Sequence, residues 1–501
     1  MNPHPVFSID EIEKRISLAR RASVAWMNTP PKQRLTVLRS LYSEFFSHQE
    51  EILNALTEDT GKPKFEALIG EFIPTLSSFQ ETLRHYKKYN EKKSLSLVLM
   101  KHRKSEIHRI PYGTILLIAP WNYPMFLSFA DVFSSLMAGN AVLLKPSEFT
   151  SSHAVLIEKL FNKHLPEHLF QVFLGDGDLG AKLIQAKPDK IFFTGSVATG
   201  IKVSKKAIEL GISTNMELGG KDAAIVLADA DLDQATSAIL WGALTNGGQS
   251  CASIERVIVL DSVYDKTVAL LKEKLFKLND QALTPPITNA QSLIYKSQLE
   301  NALSLGLTLT SPLGSVNSLT EQQFLRPMPL IVEGAEIEKS KLYQEESFGP
   351  FIAILSVESE DKSIQEANCS EYGLTASIFS TNFGRATNLA KQLNVGTVYI
   401  NETLFSAGLP ETPWGGTKHS GNSRKHGPGG YLEYTRPLHV LSPYRPWLLK
   451  KSLWWFPYSD LQYKLFYAFS HTYAPRVGAQ IVAGIKSLVL AVRLILTSPR
   501  L

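Results

Sequence analysis

Cys251 is the side chain of this sequence that is best suited to covalent chemistry with a substrate. It ends the segment NGGQSC (residues 246–251), in which two glycines allow the backbone to approach a ligand closely. A buried structural cysteine lies more often inside an apolar run, whereas a reactive cysteine needs a special environment. The segment alone leaves two alternatives open, a nucleophilic thiol and a small buried residue.

A carboxylate and an amide are predicted at strand ends, where side chains can reach a bound ligand. Glu217 begins ELGGK (217–221) at the end of a predicted strand, and Asn122 lies in APWNYP (119–124) after another. The carboxyl ends of parallel strands border the ligand crevice of an α/β sheet. A carboxylate there can act as a general base, and an amide can donate to an oxyanion. The alternatives are an ion pair with Lys221 and a turn asparagine.

Two glycine-containing segments compete as the site of a cofactor's phosphates. GDGDLG (175–180) has the spacing of a dinucleotide-binding loop, but Asp176 and Asp178 would repel a diphosphate. FFTGSVATG (192–200) follows a predicted strand, opens a predicted helix and contains no acid, so its N–H groups suit an anion better. An ordinary strand-to-helix turn is the alternative for this second segment.

The segment LLKPSE (143–148) ends a further predicted strand and offers one donor and one acceptor. Lys145 can donate to ribose hydroxyls and Glu148 can accept from them. The alternative is a solvated ion pair on the protein surface.

Alternating apolar runs and helical periodicities predict the fold class. Residues 9–85 have apolar residues at helical spacing, and from Ile107 onwards short apolar strands alternate with helices. This pattern predicts an α/β protein with two doubly wound domains and a boundary near residue 219. Residues 94–110 alternate in part between apolar and polar, which predicts an antiparallel hairpin outside the main sheets.

Composition narrows the class of protein and its compartment. The 501 residues are 44% hydrophobic and 20% charged, as in ordinary globular proteins of two or three domains. A net charge of +5 with scattered Lys and Arg does not indicate nucleic-acid binding. With only Cys251 and Cys369, the chain has no disulfide framework, which predicts a reducing compartment. The polar start of the sequence predicts no secretory signal.

Residues 441–501 form a tail of different composition. Within it, 479–496 is an apolar run near the lower length limit of a membrane span. Lys486 and Arg493 lie seven residues apart on one helical face, and each would cost about 3 kcal/mol in the hydrocarbon of a bilayer. An amphipathic helix at a membrane surface is therefore a better prediction than a spanning helix.

Further polar and aromatic residues of the tail support the same hypothesis. Gln480 and Ser487 form a second polar stripe beside the charged one, and Trp454 and Trp455 would suit the headgroup level. A helix docked on the protein or on a second subunit is an equally good alternative.

Together and in this order, PWNYP, KPSE, FTGSxxxG, ELGGK and NxGQxC resemble the NAD(P)-dependent aldehyde dehydrogenase superfamily. EESFGP (345–350) and PWGGTKHSG (413–421) fit it too, so the resemblance spans about residues 10–440. It implies that Cys251 is the nucleophile, Glu217 the general base and Asn122 the oxyanion donor, together with the N–H of Cys251. The expected reaction oxidises an aldehyde to a carboxylic acid through a thiohemiacetal and a thioester on Cys251.

The resemblance also implies a Rossmann-like cofactor domain with NAD as the coenzyme and NADP as an alternative. Glu148 favours NAD, because a carboxylate accepts from the ribose 2′-OH and repels a 2′-phosphate. No metal is expected. The expected contacts are Lys145 and Glu148 at the adenine-side ribose, Gly195 and Ser196 at the pyrophosphate, Glu346 and Phe348 at the nicotinamide end, Gly175 near the adenine, and Ala119, Pro120, Trp121, Ser147, Thr194, Gly200 and Leu218.

The family pattern assigns functions to the predicted domains. The expected ranges are 1–93 with 111–219 for cofactor binding, 94–110 with 422–440 for oligomerisation, 220–421 for catalysis and 441–501 for the tail. A homodimer or homotetramer in the cytoplasm is expected, attached peripherally to the inner face of a membrane if the tail is interfacial. In that case a lipophilic or long-chain aldehyde is the expected substrate, as in the fatty-aldehyde branch of the family.

Three alternatives to this function are open. A coenzyme-A-acylating aldehyde dehydrogenase would pass the thioester on, but the presence of Glu217 favours hydrolysis. A cofactor-independent cysteine hydrolase would use Cys251 and Glu217 without the coenzyme segments. A membrane-tethered binding protein would have an incomplete active site, whereas every catalytic position is filled here.

Overall fold

The computed structural model of the chain describes residues 7–97, 100, 103–278, 283–313, 328–444, 454–456 and 458–497. The predicted tail lies only partly within them, since 445–453, 457 and 498–501 fall outside. The chain folds as two compact units, Met1–Glu91 with Arg109–Arg436, and Lys92–His108 with Pro437–Leu501.

The described residues form strands and helices along the whole chain. The strands are β1 (Lys93–Leu95), β2 (Arg103–Pro111), β3 (Thr114–Ile118), β4 (Ala141–Lys145), β5 (Phe170–Val172), β6 (Lys190–Thr194), β7 (Ser213–Glu217), β8 (Asp222–Val226), β9 (Ile254–Leu260), β10 (Thr308–Thr310), β11 (Leu330–Glu333), β12 (Phe351–Val357), β13 (Thr375–Phe379), β14 (Thr397–Ile400) and β15 (Thr435–Pro443). The helices are α1 (Ile9–Asn28), α2 (Pro31–Ser47), α3 (Gln49–Thr60), α4 (Lys64–Ala67), α5 (Ile73–Asn90), α6 (Phe126–Ala138), α7 (Ser152–Phe161), α8 (Gly177–Gln185), α9 (Val197–Glu209), α10 (Leu232–Leu244), α11 (Tyr264–Leu275), α12 (Asn289–Ser304), α13 (Lys341–Gln344), α14 (Glu360–Asn368), α15 (Phe383–Ala390), α16 (Gly427–Leu432), α17 (Asp460–Ser470) and α18 (Val477–Thr497).

The helices α1–α5 are amphipathic and cover part of the first sheet's core. Ser8 begins α1 by accepting a hydrogen bond from the N–H of Glu11 at 3.1 Å, and Ile12 and Ile16 are buried one turn apart. A π-helical turn, Leu68–Phe72, joins α4 to α5. Turns of this kind are frequent at functional sites, and this one contributes to the cavity described below.

The first parallel sheet has the strand order β5-β4-β3-β6-β7. Its core strands are almost continuously apolar and buried, as expected for a parallel sheet covered on both faces. The chain runs outward from β3 to β5, and then returns to the other side of β3 with β6 and β7. The loops after β3 and β6 therefore face each other at the topological switch point, where α/β sheets bind ligands.

The second sheet has the order β10-β11-β12-β9-β8-β13-β14, and all of its neighbours are parallel except the β10/β11 pair. Because β8, β9 and β12 are parallel neighbours or near neighbours, their amino ends meet at one edge of the sheet. The segments that precede these strands are 217–221, 246–251 and 345–350. The topology thus brings three of the singled-out segments to one edge.

The second unit, described by itself, contains a small sheet of order β1-β2-β15 and the two helices α17 and α18. The predicted hairpin is present, since Lys93 pairs antiparallel with Ile107. The helices α17 and α18 pack against each other. Leu465 and Ala468 of α17, and Ala483 and Leu494 of α18, are buried.

The predicted α/β fold class with two parallel, doubly wound sheets is confirmed. The first sheet ends with Glu217 and the second begins with Asp222, on either side of the predicted boundary near residue 219. That boundary, like the functions assigned to the domains, stays a prediction. The short strands β10 and β11 were not predicted, because three or four residues give too few alternations to form a pattern.

Candidate active site

The carboxyl edge of the first sheet adjoins the amino edge of the second. Only four residues separate Glu217, the last residue of β7, from Asp222, the first of β8. The three segments at the amino edge of the second sheet therefore lie beside the ends of β3, β6 and β7.

The loop before β9 presents Cys251 through an unusual backbone. Asn246, Gly247 and Gly248 all have positive φ angles, of 57°, 63° and 73°. A Cβ atom on Gly247 would lie 2.2 Å from the carbonyl oxygen of Thr284, and one on Gly248 would lie 2.3 Å from the backbone of Gly349. Glycine is required at both positions, because a side chain would both strain the backbone and collide with its neighbours.

Glu346 connects the segment 345–350 to the segment 217–221. Its carboxylate accepts from the N–H of Gly220 at 2.9 Å, and a Cβ atom on Gly219 would lie 2.2 Å from that carboxylate. Burial, together with the nearby Glu255 carboxylate, raises the pKa of Glu346 to about 8.

The Asn122 amide points at the loop before β9. It donates to the carbonyl oxygen of Gln249 at 3.1 Å, two residues before Cys251. The Asn122 carbonyl oxygen accepts from the Asn246 amide at 3.0 Å and from the Lys62 ammonium at 2.6 Å. The loop after β3 is therefore tied to the loop before β9 by hydrogen bonds in both directions.

Lys62 belongs to a buried ion pair that sequence reasoning missed. Its ammonium contacts Glu71, and both side chains are fully buried. The other carboxylate oxygen of Glu71 accepts from the N–H of Met125 at 2.8 Å. The pair fixes the loop around Asn122, and its signal in the sequence is a lysine beside the glycine and proline of TGKP.

Glu217 is buried, and burial raises its pKa to about 7. The Lys425 ammonium and the Ser423 hydroxyl oppose this rise, while the Asp131 carboxylate adds to it. Ser423 donates a short hydrogen bond to the Glu217 carboxylate. The alternative of a Glu217–Lys221 pair is wrong, because Lys221 is paired with Glu255.

The Cys251 thiol lies among these acids. Burial raises its pKa far above the ordinary value of a thiol, and the carboxylates of Asp222, Glu346 and Glu217 raise it further. The pKa of Asp222 is itself raised to about 8 by burial.

The coenzyme-side residues lie at the carboxyl edge of the first sheet. The Lys145 ammonium is 3.1 Å from the Glu148 carboxylate, and the lysine side chain is only 6% exposed, so this is not a solvated surface pair. Gly195 and Ser196 lead into α9, with Ser196 as its N-cap. The first N–H groups of this 13-residue helix face the switch point, as a pyrophosphate requires.

Close packing accompanies several of the other predicted coenzyme contacts. A Cβ atom on Gly200 would lie 2.5 Å from the Leu218 side chain, and one on Gly175 would lie 2.6 Å from Leu179. Trp121 and Phe348 meet edge to face with ring centroids 5.3 Å apart. The remaining predicted contacts, Ala119, Pro120, Ser147 and Thr194, lie at or just after the ends of β3, β4 and β6.

GDGDLG is not arranged as a phosphate loop. The Asp176 carboxylate accepts from the N–H groups of Asp178 and Leu179 at 3.0 and 3.4 Å. It therefore occupies the N-terminus of α8, which a phosphate would otherwise need.

A cavity of about 240 Å³ opens beside Cys251. Its polar members include Lys62, Glu66, Lys425 and His426. Most of its wall is apolar and consists of Ile69, Ile73, Pro74, Tyr123, Phe126, Leu127, Trp241, Leu404, Phe405, Ala407, Leu409 and Trp414. Within the described residues, no group of three or more His, Cys, Asp or Glu side chains is arranged to hold a metal ion.

The sequence profile of the aldehyde dehydrogenase family matches residues 5–440. The chain is 36% identical to 4,4'-diapolycopene aldehyde oxidase of Methylomonas sp., over 93% of this chain and 87% of that protein. It is 31% identical to the chloroplastic betaine aldehyde dehydrogenase of Beta vulgaris, over 89% of this chain and 92% of that protein.

Solved structures agree in fold. Betaine aldehyde dehydrogenase of Staphylococcus aureus in complex with NAD+ superposes with a TM-score of 0.81 at 27% identity, covering 90% of both chains. The NAD+ complex of a Mycobacterium tuberculosis aldehyde dehydrogenase gives 0.81 at 28% identity, covering 88% of this chain and 91% of that one. The chain belongs to the aldehyde dehydrogenase family. It is an NAD(P)-dependent oxidoreductase that oxidises aldehydes to carboxylic acids.

Proposed function

We propose that this chain oxidises a lipophilic aldehyde through a covalent intermediate on Cys251. The thiolate attacks the aldehyde carbon, and the resulting oxyanion accepts from the Asn122 amide and the Cys251 N–H. Hydride acceptance is the chemistry that NAD(P)+ supplies when bound, and it leaves a thioester on Cys251. Glu217 then takes a proton from the water that attacks the thioester, which releases the carboxylic acid.

The coenzyme would be held by residues that the fold places at the switch point. Lys145 and Glu148 would bind the adenine-side ribose, and the N-terminus of α9 with Gly195 and Ser196 would bind the pyrophosphate. Glu346 and Phe348 would meet the nicotinamide end. Glu255 fixes this end, because its carboxylate accepts from the N–H of Phe348 at 2.8 Å.

The apolar cavity beside Cys251 is the observation that supports a lipophilic substrate. Large apolar side chains that line it are also exposed to solvent, with Ile73 at 49%, Trp241 at 41% and Phe405 at 60%. Exposed apolar groups of this kind commonly mark a ligand groove. A relative whose name specifies a carotenoid-derived aldehyde supports the same class of substrate.

The test is a comparison of acetaldehyde, hexanal and decanal with the purified full-length chain and either NAD+ or NADP+, followed by NADH or NADPH absorbance. We expect kcat/KM to rise with chain length and the product to be the free acid. Preference for acetaldehyde would contradict a lipophilic substrate. Formation of an acyl-coenzyme A on addition of coenzyme A would contradict hydrolysis. Cleavage of an ester such as p-nitrophenyl decanoate, with no oxidation of any of the aldehydes in the presence of either nucleotide, would favour a cysteine hydrolase.

We further propose that α17 and α18 lie on a membrane surface. Val477–Leu494 is the one segment among the described helices with the length and apolar composition of a membrane span, a criterion that core helices of soluble proteins also meet. Lys486 and Arg493 are exposed and would be costly inside a bilayer. These features favour a helix in the plane of the interface.

The faces of α18 support this orientation. Ala483, Ser487 and Leu494 form a buried face, whereas Ile485 and Leu488 lie on the opposite side and are more than 60% exposed. Further exposed apolar or aromatic residues of the tail are Trp454, Trp455, Phe456, Tyr463, Tyr467, Ile481, Val482, Val489 and Val492.

Flotation with vesicles of phosphatidylcholine, with and without anionic phosphatidylglycerol, tests the membrane proposal. We expect the full chain to float, most strongly with anionic lipid, and the double variant Ile485→Ser, Leu488→Ser to remain in the soluble fraction. Ile208→Ser removes an isoleucine of α9 that is even more exposed, at 75%, and this variant should float like the wild type. Equal flotation of both variants would contradict the proposal.

A homodimer or homotetramer is proposed from the edge of the small sheet. β15 is an edge strand, and all but two of its residues are exposed, including the apolar Leu438 and Val440. An open strand edge with apolar side chains is a template for pairing with a second copy. Light scattering should give a multiple of the chain mass, and Val440→Pro should lower the measured mass.

The cytoplasm is proposed as the location of the protein. The two cysteines, Cys251 and Cys369, form no disulfide, which suits a reducing compartment.

A further inference from the structure

Lys425 forms a buried cluster with Asp131 next to Glu217. Its ammonium lies 2.6 Å from one carboxylate oxygen of Asp131, and the Tyr434 hydroxyl donates to the other at 2.6 Å. Both side chains of the ion pair are only 6% exposed. The Lys425 ammonium also lies 3.3 Å from the hydroxyl oxygen of Thr194, at the end of β6.

The backbone holds Lys425 in this position. Trp414 and Lys425 exchange two backbone hydrogen bonds, of 2.6 and 2.8 Å, and both residues line the cavity beside Cys251. Two residues earlier, Ser423 donates to the Glu217 carboxylate. One short segment therefore supplies both the hydroxyl that donates to Glu217 and a cation whose charge acts on Glu217.

The charged groups around Glu217 determine how the Lys425 ammonium affects its ionisation. Asp131 and Glu217 are two buried carboxylates that repel each other's charged forms, and Lys425 attracts both. The other groups near Glu217 are Arg424, whose guanidinium is engaged by the carbonyl oxygens of Gly416 and Ser423, the Cys251 thiol and the Tyr434 hydroxyl.

The neighbouring His426 is not an alternative source of positive charge. Burial lowers its pKa to about 4, so the imidazole is neutral in the working range of the enzyme. Lys425 is consequently the buried cation that acts most directly on Glu217.

We infer that Lys425 is a positioning residue for thioester hydrolysis, which keeps Glu217 ionised as a base, and that Asp131 sets how much of this charge Glu217 receives. The inference rests on the proposed role of Glu217. The inference predicts a direction for each substitution. Without Lys425, Glu217 accepts a proton only at higher pH, and without Asp131 it does so already at lower pH.

The experiment measures hydrolysis separately from thioester formation. Full-length enzyme in excess over decanal is mixed with NAD+, quenched at intervals and analysed by intact mass for the acyl group on Cys251. Decay of the acyl-enzyme is recorded from about pH 5.5 to about pH 9.5. The variants are Lys425→Met, Lys425→Arg and Asp131→Asn.

The rate of acyl-enzyme decay rises with pH, and we expect Lys425→Met to shift this rise by at least about one pH unit in the alkaline direction. At the acidic end of the profile, such a shift lowers the decay rate about tenfold. Lys425→Arg keeps the charge and should retain the wild-type profile. Asp131→Asn should shift the rise of the decay rate in the acidic direction. This variant tests the predicted direction even if Lys425→Met does not fold.

Two outcomes would overturn the inference while leaving the proposed function intact. One is an unchanged profile with a uniformly lower rate in Lys425→Met, and the other is an alkaline shift in Asp131→Asn. Absence of any acyl-enzyme in the wild-type protein would instead contradict the proposed role of Cys251.

Discussion

The backbone of Gly220 lies so close to Cys251 that a Cβ atom on the glycine would stand 2.0 Å from the carbonyl oxygen of the cysteine. The loop that carries Cys251 thus packs directly against the segment that joins the two sheets. The position of the thiol relative to Glu217 depends on this contact, because Glu217 lies three residues before Gly220 on the same segment.

Gly220→Ala should therefore displace Cys251 and remove most of the activity. The added methyl group meets backbone, which cannot move aside as a flexible side chain would. We expect kcat/KM for decanal to fall by at least about a hundredfold, which corresponds to about 2.7 kcal/mol. The control is Gly384→Ala in the first turn of α15, where the nearest atom is 3.6 Å away and activity should be normal. Near-normal activity in Gly220→Ala would contradict the described packing.

Glu217→Gln should separate the two halves of the reaction. Glutamine has the shape of glutamate but cannot accept a proton from water, so thioester formation proceeds and hydrolysis stops. We expect one equivalent of NADH per active site, followed by slow turnover, and an acyl adduct on Cys251 in the intact mass. Cys251→Ala should give neither NADH nor the adduct. Normal steady-state turnover of either variant would refute its assigned role.

The rate of hydrolysis should rise with pH through about 7. Burial raises the pKa of Glu217 to about 7, and a general base acts in its deprotonated form. The rate is therefore low below this pKa and reaches a plateau above it. Acyl-enzyme decay in the wild-type protein checks this directly. A rise centred near the ordinary carboxylate pKa, below about 5, would show that Glu217 is solvated in the working enzyme.

Asn122→Ala should slow thioester formation. The amide is a buried donor beside the loop that carries Cys251, and loss of one such donor typically costs about a hundredfold to a thousandfold in rate. We expect the single-turnover rate of NADH formation to fall by this amount, with an unchanged dissociation constant for NAD+. A fall smaller than about tenfold would show that Asn122 serves the loop structure alone.

Glu148→Gln should shift the coenzyme preference towards NADP+. The substitution removes the negative charge that would repel a 2′-phosphate, while Lys145 remains in place. We expect the ratio of kcat/KM for NADP+ to that for NAD+ to rise on the order of tenfold, about 1.4 kcal/mol. Glu167→Gln makes the same charge change at an exposed site and should leave the ratio unaltered.

The segments that we propose to contact substrate or coenzyme could be recognised in the sequence because their chemistry constrains neighbouring residues. NGGQSC and ELGGK contain the glycines that their backbone contacts require. The pairs Lys62–Glu71 and Asp131–Lys425 could not be predicted in this way. Asp131 and Lys425 are 294 residues apart, and each looks like an ordinary charged residue in its own segment.

The tail shows a different limit of sequence reasoning. Gln480 and Ser487 were expected to form a polar stripe, yet Ser487 is buried and Gln480 half-buried. The Ser487 hydroxyl donates to the carbonyl oxygen of Ala483 at 2.7 Å, and the Gln480 amide to that of Ala474 at 2.6 Å. Because each side chain finds its partner in nearby backbone, neither needs water, and helical periodicity cannot reveal this.

The position of Cys251 in the wall of the cavity has a consequence for the reagents that can reach its sulfur atom. A reagent must enter the largely apolar cavity before it meets Cys251, whereas Cys369 is exposed to solvent. Small or lipophilic electrophiles should therefore modify Cys251, and bulky polar ones should modify Cys369 alone.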